Sequence, residues 1–298
     1  MSGAARKIEP VCPTIANGRY LFSWNDVSFE VDASLGGRAT ALRVGGHNLL
    51  TGTEVDPGNF GSTFWTSPQT AWGWPPVPEI DHLPYRAHLE GDTVVMRSDR
   101  APALGVEIEK RFSADRARAA VVFDFRIYNC GPAAIQTAPW QITRVPPGGL
   151  TFFPTGDGRF PPSNLDAIES LGVTWYAYDK AAITDNQKLF ADGREGWLAH
   201  VDVDRQTLLV KTFAVTPRAA HAPGEAQIEI YASPAHTYVE VEAQGAYQAI
   251  APGASSPWRV VWLVRRLPRG LRCAAGSAEL LAHVRALVAA DAAAAVAG

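Results

Sequence analysis

Residues 237–263 read T-Y-V-E-V-E-A-Q-G-A-Y-Q-A-I-A-P-G-A-S-S-P-W-R-V-V-W-L, and they decide the fold. Tyr238, Glu240 and Glu242 alternate with Val239, Val241 and Ala243. A period of two marks a β-strand whose two faces differ. Carboxylates two residues apart must leave the sheet on the same side, so Glu240 and Glu242 define a face that is either solvent or a polar cleft. Ala251-Pro252-Gly253 then reads as a turn, and the Trp-rich stretch 256–264 reads as a return strand.

The same logic extends along the chain. Segments 27–32, 39–44, 93–97, 106–112, 120–128, 136–145, 197–203, 207–213, 226–232 and 257–266 all read as short strands. The clearest is 120–128, where Val121, Phe123, Phe125 and Ile127 face one way and Asp124 and Arg126 the other. Short turns such as 113–116, 129–132 and 202–205 join several of them. So many short strands, with no alternation of strand and long helix, predict an all-β, antiparallel sandwich or barrel rather than an α/β fold.

One helix is expected, over 277–296. Leu280, Leu281, Val284, Leu287 and Val288 form an apolar stripe, and Gly276 or Ser277 caps it. Two stretches, 55–81 and 146–174, are rich in Pro and Gly and read as long irregular loops, which in a compact domain usually serve function. The expected organisation is an N-terminal extension (1–18), a single β domain (19–270) and a C-terminal helix packed on it (271–298).

Composition excludes several classes. The 298-residue chain has 10% aromatic and 19% charged residues and a net charge of −3, which suits a core-forming globular protein and no nucleic-acid or anionic-membrane partner. The three cysteines, Cys12, Cys130 and Cys273, are far apart, so neither a zinc site nor a disulfide framework is expected. No apolar run reaches the ~20 residues of a membrane span, and no secretory h-region is visible, which makes cytoplasmic location the default. There is no dinucleotide fingerprint, P-loop or nucleophile elbow, so no cofactor is expected.

Five constellations carry candidate chemistry. The loop from Asn59 through Trp65 and Gln69 to Trp72 and Trp74 offers flat indole faces, which suit either sugar stacking or a plug at the end of the sandwich. His82 closes that loop and is the best-placed group titrating near neutrality, a candidate general acid. Trp140 lies on the strand 136–145, with Gln141 and Thr143 on the face opposite to it. Lys188, in the polar run 185–194, would fix a carboxylate or a polarised hydroxyl, unless that run is solvated surface. Glu229 lies on the expected neighbour of the Glu240/Glu242 strand, where clustered carboxylates would suit a hard cation such as Ca²⁺, although no dense Asp pattern calls for a metal.

In order along the chain, S-L-G-G-R-A-T-A-L-R-V-G-G-H-N-L-L (34–50), N-F-G-S-T-F-W-T-S-P-Q, W-G-W-P-P, A-P-W-Q-I-T, I-E-I-Y and Y-V-E-V-E-A-Q-G…A-P-G resemble an uncharacterised family within the galactose-mutarotase-like β-supersandwiches. In aldose 1-epimerases a catalytic Glu sits in an L-E-T-Q-like run before an L-x-P-G turn, and the matching run here is Val241-Glu242-Ala243-Gln244. The resemblance implies a sugar or glycan on the concave sheet face, with Glu242 as general base at an anomeric hydroxyl. It makes Trp65, Trp72, Trp74, Trp140, Asn59, Gln69, Arg38, Lys188 and Glu240 the residues expected to line the cleft. The family's general-acid His is absent: Trp140 stands in its place. That departure sets a non-catalytic carbohydrate-binding protein, or a glycan lyase on the same fold, against the epimerase reading.

Overall fold

The computed structural model describes residues 9–297. Two antiparallel sheets face each other. In one, Arg86–Glu90, Thr93–Arg97, Val106–Asp115, Ala120–Asn129, Ser255–Arg266, Thr207–Phe213 and Trp197–Asp202 lie side by side, continuing to Leu150–Arg159. In the other, Thr14–Ala16, Arg19–Trp24, Val27–Asp32, Arg38–Val44, Ser62–Ser67, Ile135–Val145, Val239–Gln244, Ile228–Ala232 and Gln187–Gly193 follow in that order. Every pairing between these strands is antiparallel. The strand Leu150–Arg159 joins the two sheets, because its first half pairs with Trp197–Asp202 and its second half with Gln187–Gly193.

The core lies between the sheets. Phe29, Phe64 and Val241 from one sheet meet Phe112, Phe123, Phe125 and Trp262 from the other in a single buried cluster. Phe64 stacks on Phe125 with ring centres 4.5 Å apart. On the outer side of the first sheet, Trp175, Trp197, Leu208 and Leu263 pack against Leu280, Leu281 and Val284 of the helix Ala278–Ala297. Ser277 caps that helix through Oγ, which accepts the Leu280 amide at 3.3 Å. We expect Ser277→Ala to lower stability by about 1 kcal/mol in denaturant unfolding, the usual cost of losing such a cap; an unchanged midpoint would mean the cap is idle.

Several strands occur where the sequence predicts loop or surface, Ile168–Ser170 and the start of Val173–Ala177 among them. Ser62–Ser67 runs through the first Pro-rich region; all six of its residues are buried, so it shows no alternation of apolar and polar positions. Leu150–Arg159 carries Pro154, Gly156 and Gly158, which read as breakers but here mark its passage from one sheet to the other. The polar run 185–194 contains the strand Gln187–Gly193, with Leu189 in the core. Within the expected N-terminal extension, Thr14–Ala16 is a strand of the second sheet; residues 1–8 lie outside the described residues.

Gly36 and Gly37 form the turn between Val27–Asp32 and Arg38–Val44 with φ of +67° and +56°. A Cβ on Gly36 would lie 1.9 Å from the Asp81 carbonyl oxygen, so this turn fits only a glycine. That close approach fixes the short helix Pro78–Asp81 against the second sheet.

Candidate functional site

The second sheet buries one face in the core. Its other face carries the candidate site, and register decides which residues meet there. Trp65 pairs with Trp140, and Trp140 with Gln244. One row over, Thr63, Ile142, Glu242, Glu229 and Phe190 are successive cross-strand neighbours. The next row holds Arg144, Glu240, Tyr231 and Lys188. Side chains two apart on a strand share a face, so these rows form one surface of aromatic and ionisable groups.

Glu242 is fully buried. Its Oε2 accepts the Trp140 indole N–H at 2.7 Å, and Lys188 Nζ lies 3.1 Å from its Oε1. The same ammonium lies 2.5 Å from Glu229 Oε2 and over the Trp140 ring, 5.0 Å from its centre. Glu229, also fully buried, accepts the Ala226 amide and the Gln244 side-chain amide on its other oxygen. Burial works against the Lys188 charge, but Glu229 and Glu242 outweigh it and hold the ammonium above its ordinary range. Burial, with Glu242 as a like charge, pushes the Glu229 carboxyl well up despite Lys188. Glu240 is raised by burial too, against the pull of Arg144, whose Nε lies 2.8 Å from it.

Behind the strand, Lys211 reaches in from the first sheet. Its Nζ donates to the Val241 carbonyl at 2.9 Å and to Thr143 Oγ1 at 3.1 Å. Burial lowers it to about 7, with Glu242 opposing the shift.

A second carboxylate sits one indole away. Asp81 accepts Trp65 Nε1–H at 2.7 Å and Thr63 Oγ1–H at 3.0 Å, and pairs with Arg38 at 2.9 Å. Burial opposes its charge, and Arg38 and the Trp65 N–H together hold it below the usual carboxylate range. Trp65 and Trp140 meet edge to face at 5.5 Å, and Trp72 and Trp74 pack on Trp65 at 5.5 and 6.2 Å. The indole donors of Trp65, Trp72 and Trp140 are all spent on protein oxygens, so these rings can offer a ligand only their apolar surface. The loop is therefore graded: Trp65 and Trp140 are buried, Trp72 is half-buried, and Trp74 is 61% exposed.

The expected residues thus separate into groups. Trp140, Lys188, Glu240 and Glu242 converge on one patch, with Trp65, Trp72 and Trp74 beside it. Gln69 reaches the patch through its backbone, which donates to Glu225 Oε1 at 2.9 Å. Asn59 accepts from Arg144 at 3.5 Å. Arg38 is 2% exposed and donates to the Gly58 and Phe60 carbonyls and Asp81, so its polar contacts are with the loop. His82 stands at the end of the helical turn Pro78–Asp81. Its exposed ring lies 3.8 Å from Asp81, and among the described residues it contacts none of the groups that hold Glu242. The Ca²⁺ alternative meets a different cation, since Lys188 fills the space between Glu229 and Glu242; among the described residues no His, Cys, Asp and Glu group has a metal-binding arrangement.

Asp81, Arg144 and Gln244 were not singled out from sequence. Arg144 and Gln244 follow from alternation, being two or four residues from Ile142, Trp140 and Glu242 on their strands. Asp81 has no periodic signal, because it lies in a single helical turn.

No helix of the described residues is long and apolar enough to cross a membrane. Among curated proteins no sequence matches the chain. Solved structures do match its fold. A TPR-domain containing protein from Parabacteroides distasonis aligns at TM-score 0.62 and 16% identity, covering 86% of this chain and 49% of that one. This chain thus spans about half the length of that protein. A galactose mutarotase-like protein from Lactobacillus casei gives TM-score 0.59 at 9% identity, over 83% of this chain and 100% of that one. A galactose mutarotase-like protein from Clostridium acetobutylicum gives 0.54 at 10% identity, over 86% and 98%. At such identities the likeness establishes a mutarotase-like β-sandwich and nothing of activity. Residues 20–265 match the family model described as "Domain of unknown function (DUF4380)". The chain belongs to the DUF4380 family, on a galactose-mutarotase-like fold.

Proposed function

We propose that this chain recognises a carbohydrate on the Trp140–Glu242 face of its second sheet, and that Glu242 acts there as an anchor rather than as a base. The observation that carries this is the burial of Glu242: it is fully buried, its Oε2 accepts the Trp140 N–H and the Lys188 ammonium at 2.7 and 3.3 Å, and the same ammonium lies 3.1 Å from Oε1. A general base must come within hydrogen-bond reach of the proton it removes, and a carboxylate with no exposed surface, paired with Lys188, is held back from it. The partly exposed groups, Trp74, Lys188, Glu240 and Tyr231, provide a ring face, donors and acceptors, the usual means of gripping a polyol.

A second reading, sugar epimerisation, draws on one observation. Glu229 is held protonated more readily than an ordinary carboxyl and lies beside Glu242, so an acid and a base are neighbours.

Glu242→Gln separates the two. Polarimetry of freshly dissolved monosaccharides measures mutarotation, and tryptophan fluorescence measures binding. In the recognition reading, the parent does not accelerate mutarotation, and Glu242→Gln weakens sugar quenching by about ten-fold through loss of a charged anchor. In the epimerase reading the parent accelerates mutarotation, and the substitution removes about 10²–10⁴-fold of that rate. Absence of quenching by any saccharide would remove both readings.

A further inference from the structure

The patch has more negative than positive groups. Glu225, Glu229, Glu240 and Glu242 lie on or beside two adjacent strands; Lys188 and Arg144 pair with them, and Lys211 lies behind Glu242, so four carboxyl groups face three amino or guanidino groups. All four carboxyl groups are largely buried, so water does little to offset the imbalance.

A second feature is independent of charge. Gln244 and Gln227 are 2% and 1% exposed and lie opposite each other on the same strands, the Gln244 amide donating to the Gln227 carbonyl at 2.8 Å. Gln244 Nε2 donates to Glu229 and Gln227 Nε2 to the Ala214 carbonyl, which leaves both Oε1 atoms buried without a donor. Acceptor oxygens in this position call for a partner rich in N–H and O–H groups.

The third feature is Lys188. An alkylammonium already lies between Glu229 and Glu242, over the rings of Trp140 and Phe190 at 5.0 and 5.4 Å. Two carboxylates and two aromatic faces form a cradle for a primary amine. Lys188 enters it from the open side, with 22% of its side chain exposed, on a flexible stem that can leave the way it came.

We propose that the ligand of this face is an amino sugar, whose ammonium takes the place between Glu229 and Glu242 that Lys188 fills here. This rests on the carbohydrate reading above and narrows it to a basic saccharide. An acidic sugar meets Glu229 and Glu242 with the wrong sign, and a neutral one has no ammonium for the cradle between them. An amino sugar brings a cation for the carboxylates and hydroxyl donors for Gln227 and Gln244.

The test is a tryptophan-fluorescence titration of the full chain at neutral pH in amine-free buffer. The probes are glucosamine, N-acetylglucosamine, glucose, glucuronate and CaCl₂ alone. Glucosamine should bind about ten-fold or more tighter than N-acetylglucosamine, which keeps the shape and loses the charge. Glu229→Gln, close in size, should reduce that preference by about the same factor; retention of the full preference would overturn the assignment of the ammonium to this pair. Equal binding of glucose or N-acetylglucosamine would overturn the amine and leave the carbohydrate reading standing. A response to CaCl₂ and to no saccharide, or to no probe, would overturn both.

Discussion

Asp81→Ala is expected to destabilise the chain by about 3–5 kcal/mol near neutral pH, the range for removing one partner of a buried ion pair. Arg38 is 2% exposed, so its guanidinium cannot turn to water when Asp81 is lost. The substitution also strips the Trp65 indole and the Thr63 hydroxyl of their acceptor. Asp81→Asn keeps an acceptor oxygen but not the charge, and should fall between parent and Asp81→Ala. The pH dependence has a definite sign. The folded-state pKa of Asp81 is lowered, so its contribution is present above the unfolded value of 3.8 and is lost as pH falls through the lower folded value. The gap between parent and Asp81→Ala, measured by denaturant unfolding, should therefore be full at pH 6–7 and shrink below about pH 4. A loss below about 1 kcal/mol at neutral pH would show that Arg38 is satisfied by the Gly58 and Phe60 carbonyls alone.

The same residue shows where sequence reading reaches its limit. Alternation is visible wherever one face of a strand is apolar and the other is not, as in 120–128 and 237–244. There the sequence puts Glu240 and Glu242 on one face, and resemblance singles out Glu242. Ser62–Ser67 is buried on both faces, so Trp65 appears to lie in a loop while it is actually the strand partner of Trp140. Gln187–Gly193 is short and polar at both ends, so Lys188 reads as surface, although its neighbours across the sheet are Tyr231 and then Glu240. Strand order is a long-range property. Glu229 and Glu242 are close in sequence and their pairing can be guessed; Lys188 and Trp140 reach them from 54 and 102 residues away. His82 stands out in sequence for its titration range, but the ionisable side chain that turns inward from that helical turn is its neighbour Asp81.

Lys188→Met tests the centre of the patch. Methionine keeps a flexible stem and removes the ammonium, leaving Glu229 and Glu242 buried together without their shared cation. At neutral pH we expect a loss of about 3–5 kcal/mol. In the parent, Lys188 has a folded-state pKa raised above 10.5, so its contribution is fully present below 10.5 and is lost only as pH rises through the higher folded value. The parent should accordingly keep the Lys188 charge up to about pH 9, and any loss on acidification comes from protonation of Glu229, whose folded-state pKa is raised. The variant should behave oppositely to Asp81→Ala. With the ammonium gone, Glu229, which Lys188 holds down in the parent, is raised further in the folded state, which then binds more protons than the unfolded chain. Its stability should climb as pH falls below neutrality, as the raised Glu229 carboxyl is neutralised. Adding Glu229→Gln to Lys188→Met removes one of the two stranded charges and should recover part of the loss at neutral pH, while Glu229→Gln alone leaves Lys188 paired with Glu242. A Lys188→Met variant whose stability is independent of pH between 5 and 8 would show that water reaches the pair once the lysine is gone.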